Sequence, residues 1–143
     1  MNDEVTMSEL SELEMRILSE LEEAGEEDVV TMMMTVMPPT GHPSELDDMQ
    51  RALENLVRAD LVSMSMDRDA TGRLKALSKD ESLSAIADLK SHLRFLGENW
   101  VDTRNSGPPF GDPFPYIVDT EAGKEKAFQI LDQRGYQWWR RRK

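Results

Sequence analysis

The sequence predicts a mainly α protein with a small antiparallel sheet, and three observations carry that prediction. Apolar residues recur at helical spacing over residues 10–24, 46–57 and 83–96. Alternating apolar runs enter only after residue 60, the clearest being Val62, Met64 and Met66 separated by Ser63 and Ser65. Clusters of proline, glycine and aspartate punctuate the chain between these segments.

Thr6 or Ser8 is placed to cap a first helix, with Glu9 three residues after Thr6. Leu10, Leu13, Ile17, Leu18, Leu21 and Ala24 form its stripe, and Gly25 ends it. Its acids, Glu9 to Glu23, lie off the stripe as a solvated face. Val29–Met37 is apolar on nearly all sides, and the acids before it favour a second helix. Met32, Met33, Met34 and Met37 suit core filling more than an adaptable binding surface. Residues 38–43, PPTGHP, break the chain firmly.

The central element is Pro43–Asp60. Ser44 is a good cap with Asp47 behind it, and Leu46, Met49, Leu53, Leu56 and Val57 share one face. The opposite face carries Glu45, Asp47, Asp48 and Glu54 against Arg51 and Arg58. Leu61–Met66 follows as a strand, residues 67–72 as a turn, and Arg73–Leu77 as a returning strand. Ser78 and Glu81 form a capping box for a helix continuing through Leu83, Ile86, Leu89, Leu93 and Leu96 to Gly97. That stripe offers a dimer helix if the core does not bury it. Trp100–Thr103 reads as a short strand and Asn105–Pro115 as a semi-rigid loop, which Phe110 and Phe114 pin to the core. Tyr116–Asp119 is a strand, Thr120 caps a last helix ending at Gly135, and Trp138-Trp139 closes the core ahead of a basic tail.

Charge is unevenly distributed. Residues 1–60 hold 16 Asp/Glu against Arg16, Arg51 and Arg58, a net of −13, whereas residues 61–143 carry +2, giving −11 in all. An acidic front half opposes phosphate binding and favours solubility or a basic protein partner. No apolar run approaches the roughly 20 residues that span a bilayer, so no membrane role is expected. The acidic N-terminal stretch lacks an apolar signal region, and there are no cysteines, so the expected location is cytoplasmic. The chain also lacks a phosphate loop, HExxH and Gly-x-Ser-x-Gly, and the expectation is a non-enzyme without cofactor or metal. His42 and His92 stand far apart without ligand motifs beside them.

Two segments resemble the winged helix-turn-helix regulators, the group that includes MarR-like and PadR-like proteins. Ala52–Asp67, ALENLVRADLVSMSMD, is similar to the end of that family's recognition helix and its turn into the wing, with Asp60 where the turn usually has glycine. Tyr116–Leu131, YIVDTEAGKEKAFQIL, is similar to the wing strand, Leu-Thr-x-x-Gly and closing helix, with Asp119 in place of an apolar residue. The segment 67–115 has no counterpart in a simple wing. The resemblance implies a winged-helix core over residues 1–78 and a helical and hairpin extension over 79–143, or one continuous domain. Two layouts fit: Leu61–Leu77 as the wing hairpin, or Leu61–Met66 paired with Tyr116–Asp119 around an insertion.

The resemblance also implies a DNA-binding transcriptional regulator acting as a homodimer. Arg51, Asn55 and Arg58 would read DNA from the recognition helix, Arg68, Arg73 and Lys75 from the wing, and Arg140, Arg141, Arg142 and Lys143 from the tail. The alternative is an acidic interaction or inhibitor module on the same scaffold. It would present Glu45, Asp47, Asp48 and Glu54 to a basic, nucleic-acid-binding protein.

Overall fold

The structure, a computed structural model, describes residues 10–37, 40–96, 99–102 and 115–140. It is mainly helical with a small antiparallel sheet. Helices α1 (Glu12–Ala24), α2 (Val29–Val36) and α3 (Pro43–Arg58) come first, with a two-residue strand β1 (Glu27–Asp28) before α2. Strands β2 (Val62–Arg68) and β3 (Leu74–Ala76) follow, then α4 (Lys79–Ala87) and a 3-10 helix, Asp88–Ser91. A hairpin of β4 (Leu93–Leu96) and β5 (Asn99–Asp102) precedes β6 (Tyr116–Asp119), α5 (Glu121–Arg134) and a final 3-10 helix, Trp138–Arg140.

The helix ends obey local chemistry. Ser11 and Glu14 form the capping box of α1, so the helix starts later than expected; the Thr6 and Ser8 caps lie outside the described residues. Asp28 caps α2 by accepting from the Thr31 amide at 3.0 Å and its hydroxyl at 2.6 Å. For α3 the expected Ser44 cap is corrected by two residues: His42 is the cap, Pro43 occupies the first helical site, and His42 Nδ1 accepts from the Ser44 amide at 3.1 Å. Proline suits that site because its missing N–H would have no helical partner.

The main sheet runs β1-β6-β2-β3, with β4-β5 as a separate pair. Both expected pairings of β2 therefore occur, with β3 on one edge and β6 on the other. β6 lies between β1 and β2, in register Glu27↔Ile117 and Val62↔Asp119. The turn from β2 to β3 is held by Asp69, which accepts from the Thr71 amide and hydroxyl and the Arg73 amide. One continuous cluster of buried side chains joins both sides of residue 78: Ile17, Met32, Leu53 and Met64 pack with Ile86, Ile117, Ile130 and Trp139. The methionines of α2 are core, Met32 and Met33 being essentially inaccessible.

The helix expected through Leu96 is corrected. It is α-helical to Ala87 and 3-10 to Ser91; the chain then turns at His92, and Leu93–Leu96 pairs with Asn99–Asp102 instead. Ile86, Leu89 and Leu93 are buried within the chain, so that stripe does not offer a dimer helix. Apolar spacing tracked burial at Ile86, Leu89 and Leu93 but not at Leu96, which is exposed, and it did not give the conformation, because Phe95 and Trp100 stack edge to face across the hairpin with centroids 5.5 Å apart.

The two tryptophans near the C-terminus close the core against α1. Trp139 is buried and donates to Glu20 at 2.8 Å, and Trp138 donates to Ser19 at 3.0 Å. Arg134 covers the Trp138 ring at 3.6 Å while its guanidinium bridges both Glu12 oxygens. Arg140 closes the last 3-10 helix; Arg141, Arg142 and Lys143, like Phe110 and Phe114, lie outside the described residues.

Candidate functional site on the outer face of α3

Helix α3 is fixed on three sides. Its apolar face, Leu46, Met49, Leu53, Leu56 and Val57, is buried in the core. Its start is anchored by Glu45, and one flank is covered by α4 through Gln50, which donates to the Ile86 carbonyl at 2.8 Å. What remains open is a stripe of Asp48, Arg51, Asn55 and Arg58, flanked by half-buried Asp47 and Glu54.

The acids on this helix do not act alike. Glu45, expected on the outer face, is instead buried at 8% exposure. Its carboxylate accepts from the Thr40 amide and hydroxyl, the Gly41 amide and the Trp100 indole, all at 2.9–3.0 Å. Burial raises this carboxyl, but the hydrogen bonds from Thr40, Trp100 and Gly41 outweigh it and hold it below the ordinary range. It is a structural bolt between the α2–α3 turn and the β4-β5 hairpin, and so it leaves the acidic face. Gly41 completes the joint: at φ +82 a side chain is strained, and a Cβ there would lie 2.4 Å from the Phe95 ring. Asp47 is in an ion pair with Lys90 of the 3-10 helix Asp88–Ser91. Asp48 alone stays exposed, with no ion pair among the described residues.

The expected DNA readers divide similarly. Arg51 is exposed and has no acidic partner among the described residues; it lines a cleft of about 250 Å³ between α1 and α3 with Ser11, Glu14, Asp48 and Asn55. Asn55 donates to buried Glu14 at 3.0 Å, so one amide hydrogen is already committed. Arg58 lies 3.9 Å from Glu54, a loose exposed pair. On the β2-β3 hairpin, Arg68 donates to the Gly72 carbonyl and packs over the Tyr116 ring at 5.1 Å. Lys75 pairs with Asp67 at 3.4 Å, and Arg73 is exposed. Asp67 and Asp69 both sit below the ordinary carboxylate range. The largest cause is the Arg68 amide for Asp67 and the Thr71 hydroxyl for Asp69.

The end of α3 is locked to α5. Asp60 adopts φ 62, the left-handed conformation that normally favours glycine. Its carbonyl accepts from the Thr120 hydroxyl at 2.7 Å, and the Leu61 carbonyl accepts from the Thr120 amide. Gly123 then approaches so closely that a Cβ would lie 2.0 Å from the Leu61 oxygen. The two segments singled out in the sequence thus meet at one joint. The signals missed in the sequence were Glu14, Lys90 and Trp100, each of which reaches α3 from a distant element.

Among the described residues no cluster of three or more His, Cys, Asp or Glu could hold a metal, and no helix is long and apolar enough to cross a membrane. His42 caps α3, and His92 Nε2 lies 2.8 Å from Asp88. Comparisons with protein families, with curated proteins and with solved structures each return no match.

Proposed function

We propose that the chain is a winged-helix DNA-binding protein, a transcriptional regulator, that contacts the duplex through Arg51, Asn55 and Arg58. The scaffold reading is supported by strand order. β1, then two helices, then β2, with β6 paired between β1 and β2, is the order a winged helix would have if residues 69–115 were an insertion. The left-handed Asp60 turn supports it further, since that position in the resembled motif is usually glycine.

The observation that carries the functional half is the fate of the acids at the start of α3. Three carboxylates there would repel phosphate, but Glu45 is buried and Asp47 is paired with Lys90. Asp48 is the one left facing Arg51. On this reading binding is weak, because few cations are available and the net charge is −11, and its salt dependence is shallow, since the slope scales with the number of phosphates neutralised.

Fluorescence anisotropy on labelled duplexes at increasing salt tests this. Micromolar binding at low salt is expected, with Arg51→Ala weakening it by roughly tenfold. No complex at about 50 μM protein in dilute buffer would refute the proposal. A second reading, an acidic module that docks a basic nucleic-acid-binding protein, is favoured by the −13 over residues 1–60. It requires that Asp47→Lys/Asp48→Lys lose its partner in a pull-down, and undiminished capture would sink it.

A further inference from the structure

The helix α5 has a buried side and an open one. Gly123, Ala127, Ile130 and Leu131 face the core, whereas Phe128 is 52% exposed and Tyr136, just past the helix, is 57% exposed. They flank a shallow hollow of about 360 Å³ together with Gln129 and Asp132. An isolated exposed aromatic needs no explanation, but two around one hollow form a patch of the kind used in association.

The charges beside this patch point to one occupant. Lys124, Phe128 and Asp132 follow one another at four-residue spacing, so they share a helix face. When two such helices meet antiparallel about a two-fold axis near Phe128, each residue before Phe128 faces the one equally far after it. Lys124 then lies opposite Asp132 of the other copy, about 6 Å along the helix on either side of the axis. The pairing occurs twice by symmetry, with the two Phe128 rings at the centre. Each Tyr136 extends the contact toward the first turn of the other helix. Among the described residues Lys124 makes a loose exposed pair with Glu121, at 3.8 Å, and lies close enough to Asp119 to act on its charge, yet its side chain is exposed and able to reach across.

We propose that the outer face of α5 binds a second copy of this chain, antiparallel and centred on Phe128, with reciprocal Lys124–Asp132 ion pairs. The contact is isologous: the same patch serves both subunits. One short helix buries an area at the low end of specific interfaces, so the dimer is weak, with a dissociation constant of about 10–100 μM. The inference takes the dimer implied by a regulatory role and gives it a surface, yet it rests on α5 alone and not on DNA binding.

Sedimentation equilibrium without DNA, between about 5 and 500 μM protein, decides it. The wild-type chain is expected to pass from monomer to dimer, and Phe128→Ala to weaken association by roughly thirtyfold or more. Lys124→Glu and Asp132→Lys are each expected to weaken it by roughly tenfold, because either change breaks both symmetric pairs. The double variant Lys124→Glu/Asp132→Lys is expected to restore association, since the swapped charges again face one another. A wild-type monomer at 500 μM, or a double variant no better than the singles, overturns the proposal. Circular dichroism of each exposed-site variant confirms that folding is unchanged, and the Arg51→Ala anisotropy result is independent of all of these outcomes.

Discussion

Replacing Glu45 by glutamine should destabilise the protein, and the pH dependence of that loss is its signature. The wild-type carboxylate accepts four hydrogen bonds, from the Thr40 amide, the Thr40 hydroxyl, the Gly41 amide and the Trp100 indole. Glutamine has one oxygen. Its amide nitrogen fits best on the Thr40 side, where the hydroxyl can reverse and accept but the Thr40 N–H then faces another donor. One charge-assisted bond is lost and the Gly41 and Trp100 bonds become neutral, a combined cost of about 2–4 kcal/mol. Thr40 is exposed, so water offsets part of this and the lower end, about 2 kcal/mol, is expected.

The sign of the pH effect follows from the folded carboxyl lying below its ordinary value of 4.5. Such a group stabilises the fold above the unfolded value and loses that contribution as pH falls through the folded one. Urea unfolding of wild type and Glu45→Gln should therefore differ by about 2 kcal/mol at pH 7 and converge in acid. A difference under about 0.5 kcal/mol at pH 7, or one that persists unchanged to pH 3, would refute the bolt assigned to Glu45.

Two further outcomes test the joint between α3 and α5 and the strand before it. Gly123→Ala should cost about 3 kcal/mol or more, since its Cβ would fall 2.0 Å from the Leu61 backbone oxygen, and neither backbone can yield without breaking the Thr120 contacts; a thermal midpoint equal to wild type would remove that close approach. For Asp119, burial lifts the carboxyl above its ordinary value, Lys124 opposes the rise and Glu121 adds to it. A group with a raised folded value weakens the fold at neutral pH and regains stability below its unfolded value, so Asp119→Asn should melt higher at pH 7 and lose that advantage near pH 3. A lower midpoint at pH 7 would contradict it.

The elements whose partners lie nearby in the chain were readable from sequence. The apolar stripes of α1 and α3, the Ser78 capping box and the strand character of β2 depend on spacing within a few residues, and each is present. Spacing did not give every side: Glu14 and Glu20 of α1 are buried rather than solvated, Ser65 is buried where Met66 is exposed, and Phe128 of α5 faces outward. β1 was not readable, because two residues carry no period and become a strand only by pairing with Tyr116 and Ile117. Leu93–Leu96 was misread for a related reason. A short apolar run suits helix or strand, and the Phe95–Trp100 and Phe95–Gly41 contacts settle it from outside the run. Of the site, the exposure of Arg51 and Arg58 was legible from helix geometry. The withdrawal of Glu45 was not, since it depends on an indole 55 positions later.

The placement of β6 also has a kinetic side. It separates β1 from β2, so neither strand has its long-range neighbour until residues 116–119 arrive. A nascent chain can form α1, α3 and the β2-β3 hairpin early, yet its sheet stays unfinished while everything between β2 and β6 is being synthesised. Contacts of such high sequence separation close slowly, because the intervening chain must first surrender its freedom. Folding of this protein should therefore complete late, with the arrival of β6 and the docking of α5 against α1 as its closing step.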